Sequence, residues 1–284
     1  MTAPATLTAE AATLASGKGH KDENFPVASF LLKPKHRAPV MAFYHFARAA
    51  DDVADNEAAS ADEKLALLGA MRATLAGASD ANPESRALRG VLDQHALTPQ
   101  HGLDLLTAFE RDCTVDRYAT WDDLMDYCRY SAAPVGRYVL DVHGEDPATW
   151  PASDALCAAL QVINHLQDSG KDYRAIDRVY IPTDMLAAAG ARVEDLGAEK
   201  ASPALRSVIV ALAEKTQGLL AQSAAFSGMI RDKRLAVEVA IIQRLAESLT
   251  KRLITHDPLS ERVHHGKAEM AGIAAWAAIR RLVA

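Results

Sequence analysis

Apolar residues recur along the chain at intervals of three and four, the period of a helix with one buried face. Ala and Leu dominate, and few β-branched residues alternate with polar ones, so strands are not expected. The pattern predicts helices near 37–56, 61–77, 84–94, 99–112, 121–143, 153–173, 203–226, 231–255 and 260–282. Pro99 after Thr98 suits a first helical position behind a cap, and Ser153 before Asp154 suits another helix start. The stretch from Asp172 to Arg192, with Pro182 and Gly190, reads as a loop holding a short helix. Residues 1–19 read as a flexible tail. No repeat, low-complexity block or linker divides the remainder, so residues 20–284 are expected to form a single helical domain. The fold class is therefore all-α.

Two of these helices carry polar residues in stripes. In the first, Tyr44, Arg48, Asp51 and Asp55 follow one another at intervals of four, three and four. In the second, Gln161, Asn164 or His165, Asp168 and Asp172 do the same. Residues so spaced lie on nearly one face, one turn above another. The preceding runs, Ala38 to Ala50 and Ala155 to Ile163, are apolar on nearly every side, which is the mark of a buried helix. Buried carboxylates are costly unless paired or bound to metal. Two readings stay open at this point: oxygen ligands for a hard cation such as Mg²⁺, or Asp51 and Asp55 simply paired with Arg48 at a helix end. The similar pairs Asp112/Asp116 and Asp122/Asp126 can arise by chance among 37 acidic residues, and the first sits among Glu110, Arg111 and Arg117 like an ordinary wet face.

Composition narrows the classes. With 49% hydrophobic residues the chain can bury a sizeable core, and its net charge of −6 gives no reason to expect nucleic acid. An anionic ligand would need a local device such as a metal. Cys113, Cys128 and Cys157 are odd in number and lack CxxC spacing, which fits a reducing cytoplasm and argues against a cysteine–zinc site. No export signal is evident, and runs such as Ala271 to Ile279 fall far short of the ~20 residues that cross a bilayer. His45 and His165 occupy the two striped helices, yet no HExxH array, GxSxG elbow, Walker A loop or GxGxxG fingerprint appears.

The striped segments belong to a longer series: ENFPVASFLLKP (Glu23 to Pro34), FYHFARAADDVAD (Phe43 to Asp55), YCRYSAAPVGRYVL (Tyr127 to Leu140), QVINHLQDSGKDY (Gln161 to Tyr173) and RVYIP (Arg178 to Pro182). In these motifs and their order the chain resembles the squalene/phytoene synthase family from about residue 20 onward. The resemblance implies a class I isoprenoid synthase fold, a helical bundle around a central cavity, with two aspartate motifs that bind Mg²⁺ and diphosphate. The ENFPVAS, SAAPVGR and NHLQD stretches point to a branch that ionises presqualene diphosphate and captures the cation with water, without NADPH. Head-to-head coupling of two prenyl diphosphates, giving presqualene diphosphate or phytoene, is the alternative. A non-catalytic helical binding subunit would be expected to lose acids from one motif, and both are intact.

By family position, Asp51 and Asp55 are expected to hold metal from one motif, and Asn164, Asp168 and Asp172 from the other. Asp52, turned about 100° from Asp51, is a weaker candidate. Arg48 is expected on the diphosphate, with Tyr44 and Gln161 nearby and Arg178 and Tyr180 closing over the site. Phe25, Phe43, Phe46 and Tyr127 are candidates for facing a passing cation, although core packing is the default for each. Gln167 departs from the family pattern, since many relatives carry Arg directly before the second-motif aspartate. The start around Lys21 to Asn24 also departs, so no diphosphate contact is carried over there. The expected setting is cytoplasmic, with transient contact to a membrane that holds the greasy substrate and product.

Overall fold

The computed structural model describes residues 33–283. Phe25 and the tail therefore lie outside the described residues, as does nearly all of the Glu23 to Pro34 motif. The described chain is helical: α1 (Pro34–Ala54), α2 (Ala61–Leu75), α3 (Pro83–His95), α4 (Gln100–Asp112), α5 (Trp121–Ser131), α6 (Ala133–His143), α7 (Trp150–Ile176), α8 (Thr183–Ala189), α9 (Pro203–Gln222), α10 (Phe226–Met229), α11 (Lys233–Thr255) and α12 (Lys267–Val283). No strand occurs among the described residues, and a lone bridge joins Arg117 to Val179.

Local chemistry sets the boundaries. Ser60 accepts a hydrogen bond from the Glu63 N–H while Glu63 accepts from the Ser60 N–H, so two helix-end donors of α2 are satisfied reciprocally. Thr120 and Asp123 repeat the device at α5. The expected helix at 121–143 is two helices, interrupted at Ala132. Pro134 supplies the reason, because a proline cannot donate to the preceding turn and belongs in the first turn of a new helix. The long helix α7 begins at Trp150 rather than Ser153, with Pro151 in its first turn, and Ser153 is buried inside it. Helix α4 begins at Gln100, whose N–H donates to Thr98, with Pro99 as the residue before it.

Two compact units pack separately. The first holds the described residues up to Val115 together with Arg137–Glu145. Within it α1 packs on α3 and α4, and α2 packs on α3 and α4. Phe43, Phe46, Leu68, Leu75, Leu88 and Leu106 form its centre. Gly102 admits the close approach of α4, since a Cβ there would lie 2.7 Å from Leu75 Cδ2. Tyr138 is fully buried, stacks on Phe43 and donates to the Pro39 carbonyl at 3.0 Å.

The second unit holds Asp116–Gly136 and Asp146 onward. Helix α7 packs against α5, α9, α11 and the turn at Val193–Gly197. A Cβ on Gly136 would come within 2.5 Å of Ser153 Oγ and 2.6 Å of Cys157 Sγ, so glycine is what lets this backbone lie against α7. Asp112 corrects one expectation. It is buried, because it stands seven residues after Leu105 on the inward face of α4, whereas Asp116 is exposed.

Candidate active site

The first acidic cluster sits at the end of α1. Val40, Phe43, Phe46, Ala50 and Val53 are buried at helical spacing, whereas Tyr44, Arg48 and Asp51 are half-buried and Asp55 is exposed. The helix is thus one-sided rather than buried all round: Arg37, Ala38 and His45 are exposed. Alanine is small enough that an apolar-looking run does not demand burial on every face. Asp55 caps the helix, its N–H donating to the Asp51 carbonyl at 2.9 Å.

Arg48 forks onto two carboxylates. Its Nη1 donates to Asp51 Oδ2 at 2.6 Å and its Nη2 to Asp52 Oδ1 at 2.8 Å. The Asp52 side chain is the more covered of the two, 15% exposed against 35% for Asp51. The guanidinium offers planar donors that suit carboxylate and phosphate oxygens alike. The spacing of four between Arg48 and Asp52 was a readable signal for this contact.

The second cluster runs along α7, which is buried over most of its surface from Ser153 to Gly170. Gln161, Asn164, Asp168 and Asp172 are each half-buried and together make one row left open on that helix, while Lys171 is exposed. Side-chain oxygens in such a row are reachable without leaving a charge sealed in the core.

Beyond α7 the chain turns through Asp177, which takes a left-handed conformation at φ 51°. The residues that follow are tied to the strand-like stretch before α5. Val179 N–H donates to the Asp116 carbonyl at 2.9 Å, Thr183 N–H to Tyr118 at 3.0 Å and Asp184 N–H to Ala119 at 3.1 Å. Arg117 Nη2 meets Asp177 Oδ1 at 2.6 Å. Arg178 is buried, and Tyr180 lies face to face with His165. Tyr118 and Tyr127 complete the aromatic group around Tyr180, with centroids 5.6 Å and 5.7 Å from its ring. His165 stands three residues before Asp168 and so neighbours the open row. Arg178 and Tyr180 are therefore held beside the second cluster.

Burial, aided by the Arg178 charge, pushes the His165 imidazole down to about 3, so it is neutral at neutral pH. Its Nε2 has no hydrogen-bond partner. Gln167, on the same helix, is buried with neither amide atom partnered. Neither residue stood among the expected ligands. Of the aromatic candidates, Phe43 and Phe46 are core residues of the first unit and Tyr127 is buried in the second. His264 and His265 precede α12 rather than lying within a helix, and His265 Nε2 is 2.9 Å from Ser248 Oγ. No disulfide joins Cys113, Cys128 and Cys157.

Solved structures of squalene and dehydrosqualene synthases match this fold. A crystal structure of squalene synthase from Alicyclobacillus acidocaldarius matches with a TM-score of 0.71 and 29% identity, over 96% of this chain and 95% of that one. A dehydrosqualene synthase in complex with ligand matches with a TM-score of 0.76 at 22% identity, which bears on the fold alone, over 99% of this chain and 100% of that one. The protein is an all-helical isoprenoid synthase, an enzyme class that generally uses divalent metal. More particularly, the chain belongs to the squalene/phytoene synthase family, whose sequence model matches residues 18–269. It is 61% identical to the hydroxysqualene synthase of Zymomonas mobilis, over 96% of this chain and 92% of that protein. Identity to the hydroxysqualene synthase of Rhodopseudomonas palustris is 54%, over 89% and 87% of the two chains.

The donor sets fit a hard divalent ion. Asp51 and Asp55 in the first unit offer carboxylate oxygens of the kind such an ion prefers, and in the second unit Asn164, Asp168 and Asp172 offer amide and carboxylate oxygens along a half-buried row of α7.

Proposed function

We propose that the protein converts presqualene diphosphate and water to hydroxysqualene and diphosphate, as a step of squalene and hopanoid biosynthesis. The observation that carries this reading is the 61% identity to a hydroxysqualene synthase across nearly the whole chain. In this reading residues 20–284 work as one catalytic domain.

Asp51 and Asp55 from α1, and Asn164, Asp168 and Asp172 from α7, would hold Mg²⁺. When bound, the ion supplies Lewis-acid stabilisation of the charge that develops on the departing diphosphate. Arg48 binds diphosphate oxygens with the same donors that now hold Asp51 and Asp52. Tyr44 and Gln161 lie one turn before Arg48 and Asn164 in their respective stripes and orient the ligand's polar end. Arg178 adds a buried positive charge beside α7, and in a poorly hydrated setting such a charge acts strongly on an anionic leaving group. Breaking the carbon–oxygen bond leaves a carbocation, the cyclopropane opens, and water closes the sequence as an alcohol.

Among the described residues no helix is long and apolar enough to cross a membrane. The enzyme on this reading works in the cytoplasm and touches a membrane only transiently, to exchange a greasy substrate and product. The deciding experiment incubates purified protein and Mg²⁺ with presqualene diphosphate or with farnesyl diphosphate and identifies the lipid products. An alcohol from presqualene diphosphate is the expected result. Conversion of farnesyl diphosphate alone would overturn the substrate assignment in favour of head-to-head coupling.

A further inference from the structure

We infer that Gln167 is a water-positioning residue: its buried amide holds the water that captures the carbocation. This rests on the reaction proposed above.

Gln167 is 6% exposed, and neither Nε2 nor Oε1 has a hydrogen-bond partner. Burying an amide with both ends unsatisfied is unfavourable, and nearly all buried polar groups in native proteins find a partner. An apolar side chain of similar volume would avoid that cost. The pair of idle atoms, one donor and one acceptor, matches a water molecule, which needs two or more polar partners to stay in a buried place. The location is also apt. Gln167 adjoins Asp168 in sequence and stands three residues after Asn164, so its amide borders the row expected to hold the metal and diphosphate. His165 Nε2 is likewise without a partner, but its ring is stacked on Tyr180 and it stands about 200° round the helix from Gln167, too far to share one water.

The amide is chemically suited to the task. A cation at this position would oppose the positive charge of the intermediate, whereas a neutral amide does not. Oε1 accepts one water O–H and leaves an oxygen lone pair for the cationic carbon. The water oxygen forms the new carbon–oxygen bond, and the surplus proton goes to the diphosphate released in the same turnover, so atoms and charge balance.

The test compares wild type with Q167M and Q167E on presqualene diphosphate, reading diphosphate release and the alcohol share of the product separately, with thermal melting as the check on folding. Q167M is expected to keep diphosphate release while its alcohol share falls about fivefold or more, the rest appearing as eliminated hydrocarbon. Q167E, which can still hold water, is expected to retain the larger part of its alcohol share. An unchanged alcohol share in Q167M, or release and alcohol falling in proportion, overturns the inference. If Q167M does not fold, Q167N, with its amide drawn back by one carbon, is judged by the same split. A wild type that forms no alcohol sinks the proposed reaction and this role together, whereas an equal alcohol share from wild type and Q167M sinks only the role of Gln167.

Discussion

His165 lies face to face with Tyr180, ring centroids 3.4 Å apart and planes 11° from parallel. The stack keeps the imidazole in a buried place where it stays uncharged, with its pKa held down to about 3 from an ordinary 6.5. In the unfolded chain the same ring takes a proton near pH 6.5. The stability it contributes is therefore complete above that pH and lost progressively as pH falls toward about 3, by on the order of 1 kcal/mol per pH unit. The difference in melting temperature between wild type and His165→Phe should be constant above pH 6.5 and should shrink below it. Parallel melting curves across the range would show that the ring is protonated within the fold.

Arg48 bridges Asp51 and Asp52. Arg48→Gln removes both a diphosphate donor and the cation between two carboxylates, and diphosphate release from substrate should fall by about 10²-fold or more. Arg48→Lys should recover little, because an ammonium cannot reproduce the planar fork. A steady-state release assay decides it, and near-normal turnover in Arg48→Gln would mean that the arginine serves only the helix end.

Asp51→Asn and Asp168→Asn each remove a carboxylate from one cluster while leaving its shape. Each should weaken Mg²⁺-dependent retention of inorganic diphosphate by about tenfold or more without a comparable loss of thermal stability. Calorimetric titration is the measurement. Undiminished binding in both variants would remove them from the site.

Gly136→Ala places a methyl group against Ser153 and Cys157. Both neighbours are short side chains on α7 with little room to swing, so the cost should be about 1–3 kcal/mol in chemical denaturation. The substitution tests why the AAPVG stretch precedes the second motif at all: it is a packing device for the helix that carries Asn164, Asp168 and Asp172.

Much of this architecture could be read before any coordinates. Helix identity followed from periodicity, and the open row on α7 appeared as a spacing of three and four. What escaped notice had local causes. The break at Ala132 was overlooked although Pro134, two residues on, marked it. The inward turn of Asp112 was masked by its charged sequence neighbours Glu110 and Arg111. The partnership of His165 with Tyr180, and the idle amide of Gln167, depend on which side chains meet in space. A linear pattern carries no record of that.

The ties that fasten residues 177–184 to the stretch before α5 have a thermodynamic consequence for binding. Freezing a free segment costs about 1–2 kcal/mol per residue in backbone entropy. Here that cost was met when the chain folded, so a ligand reaching Arg178 and Tyr180 has nothing in this segment left to immobilise. Its affinity there should consequently show little of the unfavourable entropy that accompanies loop closure, and should depend chiefly on displaced water and charge.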